Sequence, residues 1–218
     1  METIIVSDLH LGSRFCLIEE VQRFLAELPA GATLVLNGDT VDYRAPRLPP
    51  AHAAALQRLR EESLRRRVVW VRGNHDERFR MDDPARIEFC PAFRIGQRLF
   101  AAHGYIFDNI MPYHRLFIWT FRFFHRLRLA LGAPPVHVAH YAKKFKRLYR
   151  VLCRHVALNA VEHCLENGIG AAACGHTHSV EDRVIRGVRY FNTGAWTEPP
   201  LVYLRVTDET MELRRFAP

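Results

Sequence analysis

Seven side chains able to hold a divalent cation recur along the chain in short, glycine-flanked clusters: Asp8-Leu9-His10, Gly38-Asp39, Gly73-Asn74-His75-Asp76, His103-Gly104 and Gly175-His176-Thr177-His178. Asp8, His10, Asp39, Asn74, His103, His176 and His178 offer carboxylate, amide and imidazole donors and no thiolate. That donor set suits Mn, Fe, Co or Zn, and residue types alone do not choose among them. Seven ligands are too many for one tetrahedral or octahedral ion beside substrate and water. Two ions roughly 3.5–4 Å apart, sharing one carboxylate, would use them all. A metal-free cluster of buried histidines would instead leave several imidazoles competing for scarce acceptors. His75 titrates near neutrality and follows Asn74 directly, which makes it a candidate acid, with Asp76 as the carboxylate to orient it.

The positions of these clusters imply the elements that carry them. Thr3 to Ser7, Thr33 to Leu36 and Val68 to Val71 read as buried strands ending in Asp8, Asn37-Gly38-Asp39 and Gly73-Asn74. Phe93 to Ile95 and Arg98 to Ala102 form a hairpin around Gly96-Gln97, and its second strand runs into His103. Gly170 to Cys174 is a small-residue strand ahead of His176. Five strands thus end in a ligand-type residue, and open α/β sheets gather their sites outside the carboxyl ends of strands. Leu17, Val21, Phe24, Leu25 and Leu28 have helical spacing, and Pro50 to Arg67 forms a second helix. Two more hairpins follow, Val180–Ile185 with Val188–Phe191 and Leu201–Val206 with Thr210–Phe216, and the intervening loop 192–196 is expected near the site.

With 218 residues, 49% hydrophobic and 25% charged, the chain is expected to form one globular domain over 1–218. A net charge of +8 points to an anionic partner: phosphate ester, acidic lipid or nucleic acid. Five cysteines without a C-x-x-C pair argue against a disulfide framework and for a reducing cytoplasm. No signal peptide is expected, because Met1 leads into a strand after one acidic residue, and no spanning helix, because the apolar run Leu116–Phe121 stops at Arg122.

The five clusters, in their order and spacing, resemble the calcineurin-like metallophosphoesterase superfamily. The resemblance implies a four-layer αββα sandwich and a dinuclear site. One ion would take Asp8, His10, Asp39 and His178; the other would take Asp39, Asn74, His103 and His176, with Asp39 as the bridge. It implies in-line attack of an activated water on phosphorus, with His75, held by Asp76, supporting the leaving oxygen.

The segment 105–166 separates the last two clusters, and it is expected to form a helical cap insert. It has ten Lys or Arg against three Asp or Glu, and 11 of the 24 aromatic residues. Arg115, Arg122 and Arg126 line one face of a helix whose other faces carry Phe121 and further apolar residues; Tyr141, Phe145, Leu148 and Leu152 form a stripe on the next, beside Lys143 and Arg147. Basic helices with excess aromatics suit an anionic membrane surface or an amphiphilic substrate, and nucleic acid less well. The insert is similar in place, length and composition to that of the UDP-2,3-diacylglucosamine pyrophosphatases of lipid A synthesis. The likeness implies a Mn-type dinuclear hydrolase acting on a lipid-linked nucleotide as a peripheral protein on the cytoplasmic membrane face. Those enzymes commonly have Arg at the place of His75. A soluble phosphodiesterase or nuclease is the second reading. A non-catalytic binding module is the third, and the complete ligand set argues against it.

Overall fold

The computed structural model describes residues 2–42, 48–110, 119, 123–124, 127–128, 131–132 and 138–217. Its elements are β1 (Thr3–Val6), α1 (Ile18–Ala26), β2 (Thr33–Asn37), α2 (Pro50–Arg65), β3 (Val68–Val71), β4 (Glu88–Cys90), β5 (Phe93–Ile95) and β6 (Leu99–Ala101). After a 3-10 turn at Tyr105–Phe107 come α3 (Val138–Ala142), α4 (Lys146–Glu166), β7 (Ala171–Cys174), β8 (Val180–Ile185), β9 (Val188–Thr193), β10 (Val202–Val206) and β11 (Met211–Arg215). One sheet runs β11-β10-β1-β2-β3-β4 and the other β5-β6-β7-β9-β8.

Strand alternation sorts the apolar residues into three layers of packing. Ile4, Val6, Leu34, Leu36, Val68 and Trp70 point to α1 and α2, where Val21, Phe24, Leu25 and Leu59 meet them. Their neighbours Ile5, Val35, Val69 and Val71 point the other way, onto Leu99, Ala101, Ala171, Ala173 and Phe191 of the second sheet. That sheet's outer face, with Phe100, Ala172, Cys174 and Tyr190, is covered by Val156, Ala157, Ala160 and Val161 of α4. Both faces of β1, β2 and β3 are buried, which is why these strands read as unbroken apolar runs. The result is the expected αββα sandwich.

β1, β2 and β3 pair in parallel, with Val6 opposite Leu36 and Asn37 opposite Val71. β6, β7 and β9 are likewise parallel. Parallel registry brings the loops after β1, β2 and β3 out side by side at one edge of the sheet.

The segment 105–166 is not uniform. From Cys153 onward α4 is a packed layer of the sandwich, burying Cys153, Val156, Ala157, Ala160, Val161 and Cys164. The expected stripe from Tyr141 to Leu152 does not lie on one helix. The chain breaks between Ala142 and Lys146, where the amides of Lys144 and Phe145 donate to carbonyls only three residues back. Among the described residues, no helix is long and apolar enough to cross a membrane.

Candidate metal centre

Backbone conformation sets the site before any side chain is considered. Asp8, His10, Asp39, His176 and His178 all have left-handed backbone, with φ of 56°, 50°, 51°, 63° and 55°. Each such residue costs on the order of 1 kcal/mol or more, and aspartate tolerates the conformation better than most. Hydrogen bonds hold the turns in place: Asp8 N donates to Gly38 O at 3.0 Å, His10 N to Asp39 O at 2.9 Å and His176 N to Asp8 Oδ2 at 3.1 Å. A β-carbon at Gly175 would lie 2.2 Å from Asp8 Oδ2, and one at Gly38 would lie 2.4 Å from the His103 ring. These two glycines mark where a ligand side chain from another strand occupies the space.

The side chains then converge. His178 Nε2 lies 3.1 Å from Asp8 Oδ1 and 3.4 Å from His10 Nε2. His103 Nε2 lies 3.1 Å from Asp39 Oδ2 and 4.0 Å from Asp8 Oδ1. In three groups, Asp8–His10–His178, His10–Asp39–His75 and Asp8–Asp39–His103, the donor atoms all fall within 4.8 Å of one another. Asp8 and Asp39 recur in two groups each, and so does His10.

Asn74 and His176 form a pair at the margin of this cluster. His176 Nδ1 is 3.0 Å from Asn74 Oδ1, and the His176 ring stands 5.6 Å from that of His103, nearly perpendicular to it. The other ring nitrogen, Nε2, meets Asp108 Oδ2 at 2.9 Å. Asp108 is a buried carboxylate that sequence reading missed. Its signal was faint: an acid five residues beyond His103, inside a segment read as cap. A carboxylate on Nε2 fixes the tautomer that leaves the Nδ1 lone pair facing Asn74 and the site.

His75 is held by a different acid from the one expected. Asp76 does not orient it. Asp76 Oδ2 accepts from Thr40 N at 2.8 Å and Trp70 Nε1 at 2.9 Å, and Oδ1 accepts from Gly73 N at 2.7 Å. A fully buried carboxylate needs such donors, so Asp76 staples the turn of Asp39 to the turn of Asn74. The acid beside His75 is Asp42, whose Oδ1 lies 3.3 Å from His75 Nδ1. His75 N also donates to Asp39 Oδ1 at 2.7 Å.

Electrostatics follow from this packing. Burial raises the Asp8 carboxyl, but His103 and His178 outweigh it and bring it down to about 2. Burial lowers His10 to about 4, so its imidazole is neutral. For His103, burial is overcome by Asp39 and Asp8, which raise it to about 10. His75 is raised as well, because Asp42 and Asp39 together exceed the effect of its burial.

These residues fit divalent cations. Asp8 Oδ1 and His103 Nε2 are enclosed and form no hydrogen bond among the described residues, although they face each other across 4.0 Å. A cation between them would take an electron pair from each, which their 4.0 Å separation does not otherwise use.

Of the substrate-side residues, Arg115, Phe121 and Arg122 lie outside the described residues. Lys143 Nζ reaches Glu198 Oε1 at 2.6 Å, a partner not foreseen. Phe145 packs edge-on against Tyr141 and remains half exposed, and Arg147 is exposed. The loop 192–196 does adjoin the site: Trp196 N donates to Asp8 O at 3.0 Å, and Asn192 Nδ2 to Gly175 O at 2.8 Å.

Comparison with known proteins agrees with this geometry. A family model described as calcineurin-like phosphoesterase matches residues 1–180. No curated protein matches the sequence. An archaeal phosphodiesterase superposes with a TM-score of 0.50 at 15% identity, covering 99% of each chain. The phosphoesterase Yfce from E. coli has a TM-score of 0.46 at 18% identity, covering 97% of this chain and 91% of its own. For the nuclease MPE of Pseudomonas putida the values are 0.47, 15%, 97% and 87%. At 15% identity, the likeness to the archaeal phosphodiesterase extends to the fold alone.

Proposed function

This chain belongs to the calcineurin-like phosphoesterase family and is a hydrolase; from that premise we propose that it cleaves a phosphodiester or pyrophosphate bond in an amphiphilic, anionic substrate. The observation that carries the chemistry is the convergence of Asp8, Asp39 and His103 from three strand ends onto one point. Asp8, His10, Asp39 and His178 would hold one divalent cation; Asp39, Asn74, His103 and His176 would hold the other, with Asp39 shared. When bound, the cations polarise the phosphoryl group and acidify water. Asp8 and His10 are already in their ligating protonation states in the absence of metal. His75, whose affinity for a proton Asp42 and Asp39 raise against the effect of burial, would give its proton to the departing oxygen. Thr40, Trp70 and Gly73, bonded through Asp76, keep His75 and Asp39 in register.

The amphiphilic part of the reading rests on the cap. Trp119 stacks on Phe123, and both are largely exposed, as are Phe124 and Leu131. Lys144, Lys146 and Arg150 are exposed nearby in sequence. Exposed aromatics and exposed cations in one segment suit an anionic membrane face and a lipid-linked nucleotide such as UDP-2,3-diacylglucosamine. The second reading, a soluble phosphodiester, is favoured by one observation: Lys143 is spent on Glu198 rather than presented to solvent. The test is hydrolysis by the metal-loaded protein of UDP-2,3-diacylglucosamine, a cyclic dinucleotide and single-stranded DNA. Faster turnover of the lipid substrate, with salt-sensitive binding to phosphatidylglycerol vesicles, is the expected result. Cleavage of the soluble esters alone would select the second reading.

A further inference from the structure

A cleft of about 180 Å3 opens directly beside His178. Lys143 and Tyr149 bound it from the cap side; Gly194, Glu198 and Pro199 bound it from the sandwich. Because His178 Nε2 lies 3.1 Å from Asp8 Oδ1, a group in this cleft sits one side chain away from a cation position. The site described above does not use the cleft.

Its polar walls are fixed. Glu198 receives Lys143 Nζ on one carboxylate oxygen at 2.6 Å and the His140 ring on the other. The Tyr149 hydroxyl donates to Thr177 O at 2.6 Å, which anchors α4 to the turn that carries His176 and His178. Cap and sandwich therefore meet across the cleft through an ion pair and a partly buried hydroxyl.

The chemistry of these walls excludes several occupants. A second phosphate would find Lys143 already neutralised by Glu198 and would face a carboxylate. An acyl chain would leave that ion pair desolvated with nothing in return. A whole nucleotide needs more room, since sites that enclose a drug-sized ligand span roughly 300–1,000 Å3. What suits the cleft is a single ring carrying hydroxyls, which donate to Glu198 and accept from Lys143. We infer that this cleft is the subsite for a sugar ring, furanose or hexopyranose, joined to the phosphoryl group at the metal centre, with Glu198 and Lys143 reading its hydroxyls. The inference rests on the phosphoesterase reading and narrows its substrate to glycosylated or nucleoside phosphates.

The test is calorimetric titration of the metal-loaded protein with glucose 1-phosphate, thymidine 5′-phosphate and phenyl phosphate. At least one sugar phosphate should bind more tightly than phenyl phosphate, and which one distinguishes a hexose from a pentose. In Glu198→Gln that preference should fall about tenfold or more, the scale of one lost hydrogen bond to a charged group. Lys143→Met should lower it in the same direction, which guards against a fault peculiar to the first variant. Phenyl phosphate binding as tightly as both sugars, or an unchanged preference in both variants, would overturn the assignment. A parent protein that shows the sugar preference yet cleaves no phosphodiester would leave the subsite standing and refute the proposed activity instead.

Discussion

Asp108 Oδ2 lies 2.9 Å from His176 Nε2, so a buried carboxylate from the start of the cap governs which nitrogen of His176 faces the site. Asp108→Ala should release that ring and weaken cation binding at the Asn74–His176 position by roughly 10–100-fold. Titration of the metal-free protein with Mn2+ or Zn2+ would measure it. Two binding steps of unchanged affinity would remove the positioning role.

Asp39 is the carboxylate common to both proposed ion positions. The parent chain is expected to hold close to two transition-metal ions, and Asp39→Asn should lose at least one of them together with turnover. Asparagine is the appropriate replacement because it tolerates the left-handed backbone found at this residue. Full metal content in an active Asp39→Asn protein would dismiss the shared bridge.

His75 is expected to serve proton transfer rather than metal retention. His75→Gln should keep both ions and lose about 10²–10⁴-fold in kcat on a substrate with a poor leaving group. The deficit should shrink on a p-nitrophenyl ester, whose leaving group needs no proton. Asp42→Asn should lower the pH at which the acid limb of kcat/KM turns, since Asp42 helps hold the proton on His75. A His75→Gln protein that sheds metal would make His75 a ligand, in keeping with its place beside His10 and Asp39.

Metal uptake should release protons. In the metal-free chain, Asp39 and Asp8 raise His103 to about 10 against the effect of burial, so its imidazole is charged at neutral pH. A cation must displace that proton, and apparent affinity should therefore rise with pH. The same group stabilises the metal-free fold below its unfolded value near 6.5, and that contribution fades as pH rises toward 10. Calorimetry in buffers of different ionisation enthalpy would count the protons. Metal binding without proton release at pH 7 would contradict the charge state of His103.

Membrane affinity should reside in the exposed aromatics. Phe123→Asp and Phe124→Asp place charge on the apolar surface and should weaken binding to anionic vesicles several-fold, as sedimentation would show. Retained vesicle binding in the double variant would move the contact elsewhere.

Much of this was legible in advance because parallel, doubly buried strands leave an unmistakable apolar run, and the polar residues that follow such runs had few structural alternatives. Asp8, His10, Asp39, His103 and His178 could be placed together on that logic alone. Asp108 could not, and Asp42, which the sequence offers as a supporting acid, reads more readily as a cap or turn. Each acts across a distance in sequence that no period or spacing encodes, and each sits where a helix cap or turn would equally explain an acid. The exchange of Asp76 for Asp42 beside His75 has the same origin: adjacency in sequence suggested the contact, but the turn at Gly73 swings Asp76 back toward Thr40 and Trp70. β4 escaped notice as three half-exposed residues at an edge, too short for alternation to register. The break between Ala142 and Lys146 was hidden because helical spacing continues across it.

The order in which the chain is made bears on the centre. Asp8, His10, Asp39 and Asn74 belong to the β1–β4 part of the first sheet, whereas His176 and His178 follow β7, and Trp196 closes onto the Asp8 carbonyl later still. β10, the antiparallel neighbour of β1, emerges last but one among the strands. During synthesis, the buried-to-be Asp8 carboxylate must therefore wait, solvated, for the His176 and His178 turn about 170 residues downstream. Nascent protein would capture metal weakly until the final third of the chain has docked, so that loading reports on completed folding.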